Sequence, residues 1–123
     1  MSKTVLIIDD EVHIRKLVAR MLKLQGFDVL EAINGQQGLD LLKQHHPDVV
    51  TCDITMPEFD GFDFLKAVRS QPDIKDTPVI VVTAMGQEKE ILRALEMGAN
   101  AYLTKPFSAS RLIKVINSHL HNN

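Results

Sequence analysis

Thr4-Val5-Leu6-Ile7-Ile8-Asp9-Asp10-Glu11 carries an unbroken apolar run, rich in β-branched residues, that stops abruptly at two carboxylates. A strand with one wet face alternates apolar and polar residues; a run that is apolar at every position is the pattern of a strand covered on both faces. Val79-Ile80-Val81-Val82 repeats the pattern, and so does the segment around Val49-Val50. Strands buried on both faces imply a parallel sheet held between two helical layers.

The intervals between these runs read as helices. Ile14, Leu17, Val18, Met21 and Leu22 recur at i, i+3, i+4, i+7 and i+8, which lays an apolar stripe on one face of a helix ending before Gly26. Similar spacing predicts helices over 35–45, 62–70, 87–97 and 108–120, with Gly98 and Pro47 as stop signals. Short strands over 27–31 and 101–103 complete five strands alternating with five helices. That alternation is an α/β fold of right-handed crossovers.

With 123 residues the chain suffices for one hydrophobic core and is too short for two, so a single domain is expected over 1–123, without an output domain. The composition, 45% hydrophobic and 24% charged, is that of an ordinary globular protein, and no apolar run reaches the length of a bilayer span. The segment after Met1 has neither a cleavage site nor a long enough apolar region for a secretory signal, so a cytoplasmic location is expected. A single cysteine, Cys52, excludes an internal disulfide, and a net charge of -2 gives no general attraction to nucleic acid. His13, His45, His46, His119 and His121 show no spacing that puts a metal-binding pair on one helical face.

A doubly wound sheet offers its ligand site outside the carboxyl ends of its strands. At those ends stand Asp9-Asp10 after the first strand, Asp53 at the third, Thr83 at the fourth and Lys105-Pro106 after the fifth. Carboxylates converging there repel one another unless a cation or protons neutralise them, and an all-oxygen acidic site suits Mg2+, which keeps several waters and accepts phosphate oxygens. Asp53 is then placed as a carboxylate nucleophile toward phosphorus, with a metal ion and Lys105 offsetting charge on the transferred group. The product of that chemistry is an aspartyl phosphate.

Ile8-Asp9-Asp10-Glu11, Asp53-Ile54-Thr55-Met56-Pro57 running on to Asp60-Gly61, Val82-Thr83-Ala84 and Lys105-Pro106-Phe107 together resemble the response regulator receiver domain of bacterial two-component systems, over essentially the whole chain. Each motif is common alone; four in order at strand ends are specific. The resemblance implies a flavodoxin-like sheet of order 2-1-3-4-5. It makes Asp53 the phosphoacceptor, charged from a histidine kinase or phosphotransfer protein, in a chain that catalyses only its own phosphorylation and dephosphorylation. It further implies Mg2+ bound directly by Asp10, Asp53 and the backbone carbonyl of Thr55 and through water by Asp9. Lys105, aimed by a cis Lys105-Pro106 peptide, would bind the phosphoryl group. Thr83 would move to meet a phosphoryl oxygen, and Tyr102 would turn inward behind it. The readout face for a downstream target is then roughly 87–120, in a monomer or a phosphorylation-dependent dimer.

Plainer readings stand beside these. Asp9 and Asp10 are also good helix caps, worth about 1 kcal/mol, and Asp53 also suits a turn before Pro57. Thr83 and Lys105 alone are an ordinary strand end and a solvated lysine, and a lone strand tyrosine such as Tyr102 most often packs. Cys52 should point to the sheet face opposite Asp53 and be buried as a small hydrophobe. Thr55 and Met85 occupy positions that in this family set how long the phosphoryl group lasts. A receiver excised from a longer, for example DNA-binding, regulator would carry the same residues, and two other functions compete. An aspartyl phosphatase needs a general acid two residues after the nucleophile, where Thr55 cannot serve; a phosphate-independent docking module would not require the intact set Asp9, Asp10, Asp53, Thr83 and Lys105.

Overall fold

A computed structural model describes residues 2–120; Met1, on which the signal-peptide reading rests in part, and His121 lie outside the described residues. Five strands alternate with five helices: β1 Thr4–Ile8, α1 Val12–Leu24, β2 Asp28–Ala32, α2 Gly35–His45, β3 Val49–Asp53, α3 Gly61–Arg69, β4 Val79–Ala84, α4 Glu88–Glu96, β5 Ala101–Lys105 and α5 Ala109–Ser118. All pairings are parallel and the order is β2-β1-β3-β4-β5, the flavodoxin-like arrangement.

The unbroken apolar runs have the expected cause. Alternate residues of each central strand feed two separate cores. Leu6, Ile8, Val50, Cys52, Val79 and Val81 face Leu42, Phe64, Leu65 and Ala94 of α2, α3 and α4. Val5, Ile7, Val49, Ile80 and Val82 face Val18, Leu22, Leu112 and Ile116 of α1 and α5. Cys52 is wholly buried on the face opposite Asp53, as strand alternation requires.

Several boundaries shift. The ends expected at residues 87, 97 and 108 are caps: Gln87 and Met97 flank α4, and the Ser108 side chain accepts from the Arg111 N–H at 3.0 Å to start α5. Both β4 and β5 run two residues beyond the apolar signal, to Ala84 and Lys105. The stripe on α1 is rotated: Leu17 is exposed, and Arg15, Val18, Ala19 and Leu22 are the buried residues. Neither Asp9 nor Asp10 caps α1, since its N-cap is Glu11 and no side chain bonds the helix start there. Among the described residues no helix is long and apolar enough to cross a membrane.

Candidate functional site

The site is assembled at the carboxyl edge where β1 and β3 lie side by side, with Ile8 opposite Cys52. Asp53 is the last residue of β3 and only 9% exposed; its side chain leaves the sheet on the α1–α5 face. Its Oδ1 accepts from the Thr55 N–H at 3.0 Å and its Oδ2 from Lys105 Nζ at 2.9 Å. The same ammonium donates to Asp9 Oδ2 at 3.2 Å. Asp9 Oδ1 takes the Glu11 N–H at 2.9 Å, so the carboxylate is oriented by a local turn and not by a helix cap. Asp10 is exposed beside them. Asp9, Asp10 and Asp53 each bring a carboxylate oxygen within 4.8 Å of the others.

Sequence reasoning missed two residues, one that braces this cluster and one that engages Thr83. Arg15 is 8% exposed inside the protein and donates from Nη1 to the Asp9 carbonyl at 3.0 Å and from Nε to Glu31 at 3.1 Å. It pins the backbone that carries the acidic pair to the end of β2. A charged residue in register with Val18, Ala19 and Leu22 was the available signal, hidden because the stripe through Leu17 looked more apolar. The second is Gln87, whose Oε1 accepts from Thr83 Oγ1 at 2.7 Å.

The electrostatics are those of a site short of positive charge. Three carboxylates face one ammonium. Burial pushes the Asp53 carboxyl above its ordinary range; the hydrogen bond and charge of Lys105 oppose that, and Asp9 adds to it. Burial alone would lower the Lys105 ammonium, but Asp53 and Asp9 together hold it above its usual value. Cys52 is pushed well up, first by burial and then by Asp53, so it stays a thiol. An all-oxygen, partly buried, negatively charged cluster of this size fits a small divalent cation such as Mg2+ in donor chemistry and in charge.

The structure brings Asp9, Asp10, Asp53 and Lys105 together. Thr83, buried in β4, is turned to Gln87, and Tyr102 on β5 is 41% exposed, so neither joins the cluster. Thr55 contributes its backbone N–H, with an exposed side chain; Met85 is also exposed. The Lys105-Pro106 peptide is cis.

Fold order, acidic pocket and lysine define the receiver class of two-component signalling domains. The chain belongs to the response regulator receiver domain family, whose profile matches residues 5–117. It is similar to the chemotaxis protein CheY of Bacillus subtilis (strain 168), at 40% identity over 122 residues, covering 98% of this chain and all of that protein. It is also similar to the "Probable transcriptional regulator ycf27" of Porphyridium aerugineum, at 36% identity over 119 residues; there it covers 97% of this chain and spans 48% of the relative. Among solved structures the chemotaxis protein CheY4 of Vibrio cholerae superposes with a TM-score of 0.92 at 32% identity, covering 98% of this chain and 100% of that one. Proteins of this family are signalling switches and not conventional enzymes.

Proposed function

We propose that this chain is a phosphorylation-driven switch in which Asp53 accepts a phosphoryl group from a phosphohistidine donor. The observation that supports it most is the placement of Asp53 Oδ2 at 2.9 Å from Lys105 Nζ within a three-carboxylate cluster. An Asp53 oxygen forms a bond to phosphorus as the phosphorus–nitrogen bond breaks, and the imidazole leaves with the electron pair. Lys105, already at the nucleophile, moves from carboxylate to phosphoryl oxygen without leaving the pocket. Thr55 N–H keeps the carboxylate oriented. Hydrolysis returns Asp53 as a carboxylate and releases inorganic phosphate.

Asp10, Asp53 and the Thr55 carbonyl would hold Mg2+ directly, with Asp9 through water; the ion supplies positive charge that the pocket lacks. Thr83 then serves as the hydroxyl that meets a phosphoryl oxygen, and Tyr102, now outward, as the aromatic that follows it. The change would be read on the face formed by α4, β5 and α5 by a downstream target protein. The donor is a histidine kinase or phosphotransfer protein, and the whole exchange takes place in the cytoplasm.

The test is intact mass after incubation with acetyl phosphate, with and without Mg2+, for wild type and Asp53→Ala. A Mg2+-dependent gain of one phosphoryl group that is lost in Asp53→Ala is expected. No gain in the wild type would refute the switch and favour a phosphate-independent docking module.

A further inference from the structure

Thr83 is 1% exposed, and a hydroxyl has a single proton to donate. Here that proton is committed to Gln87 Oε1 at 2.7 Å, an acceptor that cannot itself donate. The proposed switch requires the same proton for a phosphoryl oxygen on Asp53. We infer that Gln87 is a latch that competes with the phosphoryl group for the Thr83 hydroxyl and so sets the resting bias of the switch; the inference rests on the role proposed for Thr83.

The local structure suits a latch. Gln87 is the N-cap residue of α4, yet its side chain caps nothing and reaches back to β4 instead. Ser, Thr, Asp or Asn at that position would bond the helix start; glutamine is one methylene longer and reaches the strand. The loop it spans is exposed at Ala84, Met85 and Gly86, with Gly86 at φ +88° and no atom close to the position a side chain would fill. The Thr83–Gln87 bond joins the end of β4 to the start of α4 across this exposed turn. When Thr83 turns toward Asp53, this bond must break, and the half-buried Gln87 amide exchanges it for water. The bias is that of one neutral hydrogen bond net of solvent, about 2- to 10-fold in the switching equilibrium.

The consequence is specific to direction. Gln87→Met keeps length and removes the acceptor, so it frees the Thr83 hydroxyl. Gln87→Glu keeps length and makes the acceptor anionic, and a charge-assisted bond holds the hydroxyl more tightly. Neither residue belongs to the acidic cluster.

The experiment is a titration with beryllofluoride, an inert analogue of the phosphoryl group, in excess Mg2+, followed by amide NMR of the β4–α4 loop. It is run on wild type, Gln87→Met and Gln87→Glu, and on the two substitutions placed in Thr83→Ala. Thermal unfolding establishes that each variant is folded. Gln87→Met should lower the titration midpoint about 2- to 10-fold and Gln87→Glu should raise it. Both shifts should vanish when Thr83 is Ala, which a merely structural or through-space charge effect would not do. In ligand-free protein, three-bond couplings to the Thr83 methyl should show a change of rotamer in Gln87→Met. A midpoint for Gln87→Met equal to wild type, or a shift that persists in Thr83→Ala, overturns the latch while leaving phosphorylation of Asp53 standing. A wild type that does not respond to beryllofluoride at all overturns both.

Discussion

Replacing Arg15 by Met separates a brace of the acidic pair from an ordinary surface ion pair. The Arg15 side chain is 10% exposed and Glu31 20%, whereas Lys16, which also reaches Glu31 at 3.1 Å, is 63% exposed. Met conserves much of the volume, so the loss is chiefly polar. The Asp9 carbonyl loses its guanidinium donor in a buried setting, which costs about 1–3 kcal/mol. Breaking a fully buried pair costs about 3–5 kcal/mol, but Glu31 keeps Lys16 and some water, so its share is the smaller part. The sum is about 2–3 kcal/mol for Arg15→Met, against less than about 0.5 kcal/mol for Lys16→Met, a screened exposed pair. Urea unfolding of both variants and the wild type measures this directly, with an unchanged m-value as the check that the folded state is comparable. Because Arg15 holds the Asp9 backbone, Arg15→Met should also weaken Mg2+ binding, and Lys16→Met should not. Equal destabilisation by the two substitutions, or a stable Arg15→Met protein with wild-type Mg2+ affinity, would refute the brace.

Three further outcomes are expected. Asp53 sits above its ordinary range in the fold, so its ionisation opposes folding: the benefit of the protonated form is full below the unfolded value of 3.8 and is lost as pH rises through the folded value. Asp53→Asn should therefore raise Tm in Mg2+-free buffer at about pH 7, with the gain fading as pH falls toward 3.8; no gain at neutral pH contradicts the direction of the shift. Glu58 lies in the left-handed region at φ 64° in the β3–α3 loop; Glu58→Gly should stabilise by about 0.5–1 kcal/mol and Glu58→Val destabilise by a similar amount or more in chemical denaturation. A methyl group at Gly61 would lie 2.7 Å from Ile54 Cα and 2.9 Å from the Asp53 carbonyl oxygen, so Gly61→Ala should cost about 1–3 kcal/mol and slow phosphoryl uptake from acetyl phosphate; wild-type uptake would show that the loop can yield without disturbing Asp53.

Much of this was legible from runs of residues. The three central strands announce themselves because both faces are covered, and Asp9, Asp53 and Lys105 follow because each sits at or beside a strand end. The strand order was not legible from periodicity; it came with the family resemblance. Helix spacing misled at α1. The 14/17/18/21/22 stripe is more apolar than 15/18/19/22, yet the fold buries the second, because Arg15 satisfies its guanidinium on the Asp9 carbonyl and Glu31. Apolar counting cannot see a cation whose partners arrive from another strand. Gln87 was invisible for a similar reason: its partner, four residues away across a loop, is set by the turn geometry and not by helical spacing.

The charge balance of the pocket bears directly on the phosphorylation proposed for Asp53. Lys105 divides itself between Asp9 and Asp53; burial first, and then the surplus of carboxylate that Asp9 adds, keeps Asp53 reluctant to ionise. A divalent cation would relieve that surplus and leave Asp53 the nucleophile that the proposed switch needs. In the proposed switch a phosphoryl group on Asp53 restores the negative charge, and the proton of Thr83 is available to it only if Gln87 gives it up. The acidic cluster and the latch are thus two ends of one competition for positive charge and hydrogen-bond donors. Removing the proposed phosphoacceptor by Asp53→Asn, or tightening the Thr83 bond by Gln87→Glu, should each hold the β4–α4 segment in its resting conformation, by different routes.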